Sequence, residues 1–85
     1  MNETALDSVL WRLKEMIVAK NSDYGDAYKR NPFAETEQGL LVRIGDKMRR
    51  LETLATKRAE VPETFDDTIL DLAGYCVLFL MEREK

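Results

Sequence analysis

Three groups of residues in this chain have types and spacings suited to chemistry. Glu63, Asp67, Asp71 and Tyr75 follow one another at four-residue intervals. On an α-helix each such step turns by about 40°, so neighbouring members share a face. Asp67 and Asp71 would then lie one turn apart and could hold one cation between them. Asp71 directly precedes an apolar stretch, where a carboxylate is costly to bury without a partner. A divalent ion is one such partner, because carboxylate oxygens suit Mg²⁺ and Mn²⁺. Two plainer readings stand beside this one. Asp67 could only cap its helix, and Asp71 could only pair with Arg43, Lys47 or Arg50.

The second group, Arg43, Asp46, Lys47 and Arg50, also recurs at helical spacing. It reads either as a solvated face with an Asp46–Arg50 ion pair, or as a cationic clamp for phosphates with Asp46 as a further metal ligand. Arg and Lys around a phosphate chain are what phosphoryl chemistry needs. The third group is Lys20, Asp23 and Tyr24, with Lys29 and Arg30 following. Tyr24 could stack on a base and Lys20 could meet a phosphate, or Tyr24 could plug the core.

These groups need helices to position them, and the chain supplies three. Leu6, Val9, Leu10, Leu13, Met16 and Ile17 recur at steps of three and four residues, which predicts a helix from Glu3 to Lys20 with one buried face, capped by Asn2 or Thr4. Asn21 to Glu35 breaks the pattern, with turns at Gly25 and Pro32 and room for a helical turn near Asp26 to Lys29. A second helix is expected from Thr36 to Arg58, with Leu40, Leu41, Ile44, Met48, Leu51 and Leu54 as its apolar stripe. Gly45 in its middle reads either as a point of close approach or as a tolerated small residue. A third helix, Glu63 to Glu82, opens with Thr64 and Asp67 spaced for a capping box. Its second half, Leu72 to Met81, is apolar almost all round, as in a helix buried on every side. Three helices in one short chain cannot easily surround it. The expected architecture is therefore an all-α, small helical bundle of three main helices, one domain over residues 1–85, completed by oligomerisation into a homo-oligomer, most simply a symmetric dimer.

Composition sets further bounds. The 85 residues are 45% hydrophobic and 34% charged, too apolar for a disordered segment. A net charge of −3 argues against broad nucleic-acid binding, which needs a basic field. There is no histidine, so a Ser-His-Asp triad is excluded and Cys76, the one cysteine, has no histidine to activate it. Cys76 reads as a buried free thiol. No stretch is long and apolar enough to span a membrane, and Met1 to Thr4 does not look like a signal peptide. The expected location is cytoplasmic, in the host cytoplasm if the chain is phage-encoded.

Taken in order, Lys20-Asn21-Ser22-Asp23-Tyr24-Gly25-Asp26, Gly39, Val42-Arg43-Ile44-Gly45-Asp46-Lys47, Arg50-Leu51, Asp67-Thr68 and Asp71-Leu72-Ala73-Gly74-Tyr75 resemble the nucleotide modification associated domain family of phages and bacteria. That family is similar to the MazG-like all-α nucleoside triphosphate pyrophosphohydrolases. The resemblance covers the chain from about Lys20 to Leu80. It implies a single MazG-like domain acting as a dimer or tetramer, and a nucleoside triphosphate as partner. It also implies Mg²⁺ (or Mn²⁺) held by Asp46, Asp67 and Asp71, phosphates met by Arg43, Lys47 and Arg50, and Lys20, Asp23 and Tyr24 near the nucleotide. MazG-like enzymes carry a Glu-Glu-x-x-Glu cluster and a Glu-x-x-Asp pair, whereas this chain offers fewer carboxylates. Nucleotide binding, with or without metal-dependent pyrophosphohydrolysis, is the first expectation. A non-enzymatic helical interaction protein, such as a phage accessory factor binding a host or replication protein, is the alternative.

Overall fold

Apolar spacing and capping residues build three helices, seen in a computed structural model that describes residues 1–24, 36–56 and 64–84. Helix α1 spans Glu3–Tyr24, α2 spans Glu37–Thr56 and α3 spans Phe65–Arg83. Each starts at a side-chain cap that satisfies an otherwise orphaned backbone N–H. Asn2 Oδ1 accepts from the Ala5 N–H at 3.0 Å, and Thr36 Oγ1 accepts from the Gly39 N–H at 2.9 Å. At α3 the expected capping box forms: Thr64 Oγ1 accepts from the Asp67 N–H at 3.0 Å, and Asp67 Oδ2 accepts from the Thr64 N–H at 3.3 Å.

The first helix runs one turn further than the sequence pattern predicts. Asn21, Ser22, Asp23 and Tyr24 are helical, not loop. Asn, Ser and Asp cost only a fraction of 1 kcal/mol each in a helix, so a tertiary anchor at Lys20 can carry the helix through them. The turns expected at Gly25 and Pro32, and the helical turn near Asp26 to Lys29, lie outside the described residues.

Helix α3 is the centre of the bundle. Helix α2 packs along it and α1 crosses it more sparingly. Both run antiparallel to α3. Glu37 at the start of α2 pairs with Arg83 at the end of α3 at 3.7 Å, while Lys47 further along α2 reaches Asp71 nearer the start of α3. The α1 contact is at Gly74, which is buried. A Cβ built there would stand 3.0 Å from Met16 Cε and 3.8 Å from Ile17 Cγ1. Gly74, not Gly45, is thus the point of close helix approach. Among the described residues, a Cβ built at Gly45 would meet only the side chain of Arg49 on its own helix, at 3.8 Å.

The core of the single chain is small. Leu51 and Leu54 are its buried hydrophobic residues among those described, with Leu54 only 2% exposed. Thr68 is fully buried as well, and its hydroxyl donates to the Thr64 carbonyl at 3.3 Å, so it is satisfied. The apolar stripe of α1 is covered only in its second half. Leu13, Met16 and Ile17 are half-buried, whereas Leu6, Val9, Leu10 and Trp11 are exposed. Leu41 and Met48 of α2 are exposed too, as are Ile69, Leu80 and Met81 of α3. Of the stretch expected to be buried on all sides, Leu72 to Phe79 is half-buried apart from the buried Gly74, and its half-buried residues include Cys76, which is a free thiol. Among the described residues no helix is long and apolar enough to cross a membrane.

Candidate functional site

The site follows from the antiparallel packing. Lys20 lies one turn beyond Met16 on α1, and Asp71 lies about one turn before Gly74 on α3. Docking Met16 on Gly74 therefore delivers the Lys20 ammonium to the Asp71 carboxylate. Lys20 Nζ donates to Asp71 Oδ1 at 2.5 Å, and Lys47 Nζ donates to Asp71 Oδ2 at 3.3 Å. One carboxylate on α3 thus ties α1 and α2 to it through its two oxygens. One turn further along α3, the Tyr75 ring lies under two cations of α2: the Arg43 guanidinium carbon is 5.5 Å and Lys47 Nζ 5.8 Å from the ring centre. Both are within reach of a cation–π attraction.

Burial distinguishes the members. The Asp71 and Lys47 side chains are 16% and 17% exposed, whereas that of Lys20 is half open to solvent. Burial pushes the Asp71 carboxyl up, but hydrogen bonds and charge from Lys20, and then from Lys47, outweigh it and hold the group below its ordinary value. Asp71 is therefore an anion at neutral pH with the partners its burial demands.

The remaining expected residues are placed as follows. Asp67 spends its carboxylate on the capping box of α3. Asp46 pairs with Arg49, three residues on, at 2.6 Å, and not with Arg50 as the four-residue spacing suggests. Arg50 is exposed one turn beyond Lys47 on the same face of α2. The Asp23 and Tyr24 side chains lie outside the described residues. Among the described residues no three Asp, Glu, Cys or His side chains stand close enough to share a metal ion. Asp46, Asp67 and Asp71 do three separate jobs: an ion pair, a cap and a lysine clamp. Mg²⁺ asks for near-octahedral oxygen ligation, and these three carboxylates, as placed, do not gather as a set to supply it.

Tyr75 was legible only as a member of the four-residue stripe; its part in the site depends on α2 lying alongside. Asn21 adds a second feature that spacing did not reveal. It stands one turn beyond Ile17 on α1, and its side-chain oxygen is buried without a hydrogen-bond partner. The arrangement gathers an ammonium from α1, an ammonium and a guanidinium from α2, and a carboxylate and an aromatic ring from α3. Such a set can bind an oxyanion and flank it with a ring.

No curated protein and no solved structure matches the chain. A family model does, over residues 20–82, which begins at Lys20 and takes in both other helices of the site. With three quarters of its length matched, the chain belongs to the family described as nucleotide modification associated domain 1.

Proposed function

We propose that this protein binds a nucleotide, with the phosphate chain at the junction of α1, α2 and α3. The observation that carries this reading is the convergence of Lys20, Lys47 and Arg43 from two helices on Asp71 and Tyr75 of a third. An ammonium has three donors, and Asp71 accepts one from Lys47, so a phosphate oxygen can be met by another. Membership of a family associated with nucleotide modification supports the same ligand class.

The finer proposal is that the bound nucleotide is a nucleoside triphosphate, cleaved to monophosphate and pyrophosphate as MazG-like enzymes do. With no histidine in the chain, a carboxylate would have to activate the water. The test is to incubate the protein with ribo- and deoxynucleoside triphosphates in Mg²⁺, in Mn²⁺ and in EDTA, and to resolve the products by chromatography. Monophosphate plus pyrophosphate would establish the enzyme, and loss of both in EDTA would establish its metal requirement. Binding without turnover would leave a nucleotide-binding module. No binding in any buffer would sink the proposal.

A second reading has its own observation. Leu6, Val9, Leu10 and Trp11 on α1 and Leu80 and Met81 on α3 are exposed. Such apolar surface favours assembly, either with further copies of the chain into a dimer or tetramer, or with another helical protein. The protein-binding reading would stand alone if the nucleotide panel were negative.

A further inference from the structure

We infer that Asp71 is a positioning residue for two phosphate-contacting ammonium groups and not a metal ligand, so that the site takes a phosphate chain as a metal-free anion. The inference rests on the nucleotide reading above and names what the site recognises: the bare di- or triphosphate.

The argument is one of competing partners. Each oxygen of Asp71 already accepts from a lysine, Oδ1 from Lys20 and Oδ2 from Lys47. A divalent ion at Asp71 would have to displace two ammonium groups and then sit beside both of them. Like charges at such distances repel strongly in a partly buried site. Among the described residues no three carboxylates gather to hold the ion, since Asp67 is bound into the α3 cap and Asp46 pairs with Arg49. For an incoming phosphate the signs reverse. Asp71 fixes two long, flexible side chains that come from different helices, with both ammonium groups held at one carboxylate. Lysine carries about 2 kcal/mol of rotamer entropy, so holding the ammonium groups in place before the ligand arrives favours binding.

This gives a sign that separates positioning from bulk charge. By Coulomb's law alone, removing a negative charge beside a phosphate site should tighten phosphate binding. If Asp71 positions the lysines, removing it should weaken binding. The experiment is calorimetric titration of the whole chain at neutral pH with two probes, Mn²⁺ alone and inorganic pyrophosphate in EDTA. The proteins are the unaltered chain, Asp71→Asn, Asp71→Glu and, as a remote control for charge, Asp66→Asn in the exposed first turn of α3. Melting by circular dichroism in the same buffers shows that each variant is folded.

The expected results are no saturable binding of Mn²⁺ to the unaltered protein and clear binding of pyrophosphate in EDTA. Asp71→Asn should weaken pyrophosphate by about tenfold, the worth of one lost charge-assisted contact. Asp71→Glu should recover most of that loss, and Asp66→Asn should leave affinity unchanged. Saturable Mn²⁺ binding that Asp71→Asn removes would overturn the inference, as would an Asp71→Asn protein that binds pyrophosphate equally or more tightly. Either result with nucleotide binding intact would leave the proposed function standing. Absence of pyrophosphate and nucleotide binding in every buffer would overturn both. The Mn²⁺ titration needs no variant, so it decides the metal question even if Asp71→Asn does not fold.

Discussion

Asp71 is the residue on which the lysine contacts of α1 and α2 converge. Its carboxyl sits below its ordinary value because the Lys20 and Lys47 contacts outweigh the effect of burial. A carboxyl held low in the folded state binds its proton less readily there than in the unfolded chain. The lysine contacts therefore stabilise the fold above the ordinary carboxylate range, and that contribution is lost as pH falls through the lowered value. The expected outcome is a melting-temperature gap between the unaltered protein and Asp71→Asn that is full near neutrality and closes in acid, below about pH 4. Thermal melts across that range check it. A gap that persisted unchanged into strong acid would show that the stabilisation does not depend on the Asp71 charge. Tyr75 belongs to the same scale: its ring accepts two cations of α2, and neither its spacing nor its neighbours in the chain announce that part.

At the scale of elements, two glycines in similar helical contexts have opposite roles. Gly45 lies in the interior of α2, and an added Cβ would meet only the Arg49 guanidinium at ordinary contact distance, 3.8 Å. Gly45→Ala should stabilise the protein by roughly 0.5–1 kcal/mol, since alanine loses less backbone freedom in a helix and nothing is displaced. Gly74 is where α1 rests on α3, and its Cβ would stand 3.0 Å from Met16 Cε. Gly74→Leu should cost about 1–3 kcal/mol by forcing α1 away, and should carry Lys20 off Asp71 with it. Paired thermal melts of the two variants check both signs. Destabilisation by Gly45→Ala would mean that something else packs at Gly45, and an unaffected Gly74→Leu would mean that α1 is not held there.

Seen whole, the described helices bury little of their apolar content. Two leucines are buried among the described residues, whereas Trp11 is 64% and Leu80 60% exposed. A domain of this size is marginal even when its apolar faces are covered. The expected outcome is a homo-oligomer, read by light scattering as a multiple of 9.8 kDa. Trp11→Glu should weaken association by roughly 30-fold if the ring is a buried anchor at the interface, the worth of about 2 kcal/mol. A monomer at every concentration would leave the exposed stripe to another partner.

The sequence by itself determined the three helices, the capping box of Thr64 and Asp67, the all-α class, and the need of Asp71 for a partner. These depend on spacing along the chain and on the cost of burying charge, both of which are local. Residues 25–35, expected to hold turns, are outside the described part of the chain and add nothing to that comparison. The tertiary structure decided which partners Asp71 takes, that Gly74 and not Gly45 is the crossing point, and that α1 stays helical to Tyr24. It also decided that Asp46, Asp67 and Asp71 do not form one cluster of three. Helical spacing fixes which residues share a face of one helix. Only the docking of α1 and α2 against α3 determines which faces meet, and that is set by the packing of Met16 over Gly74 and the antiparallel register of α2 on α3.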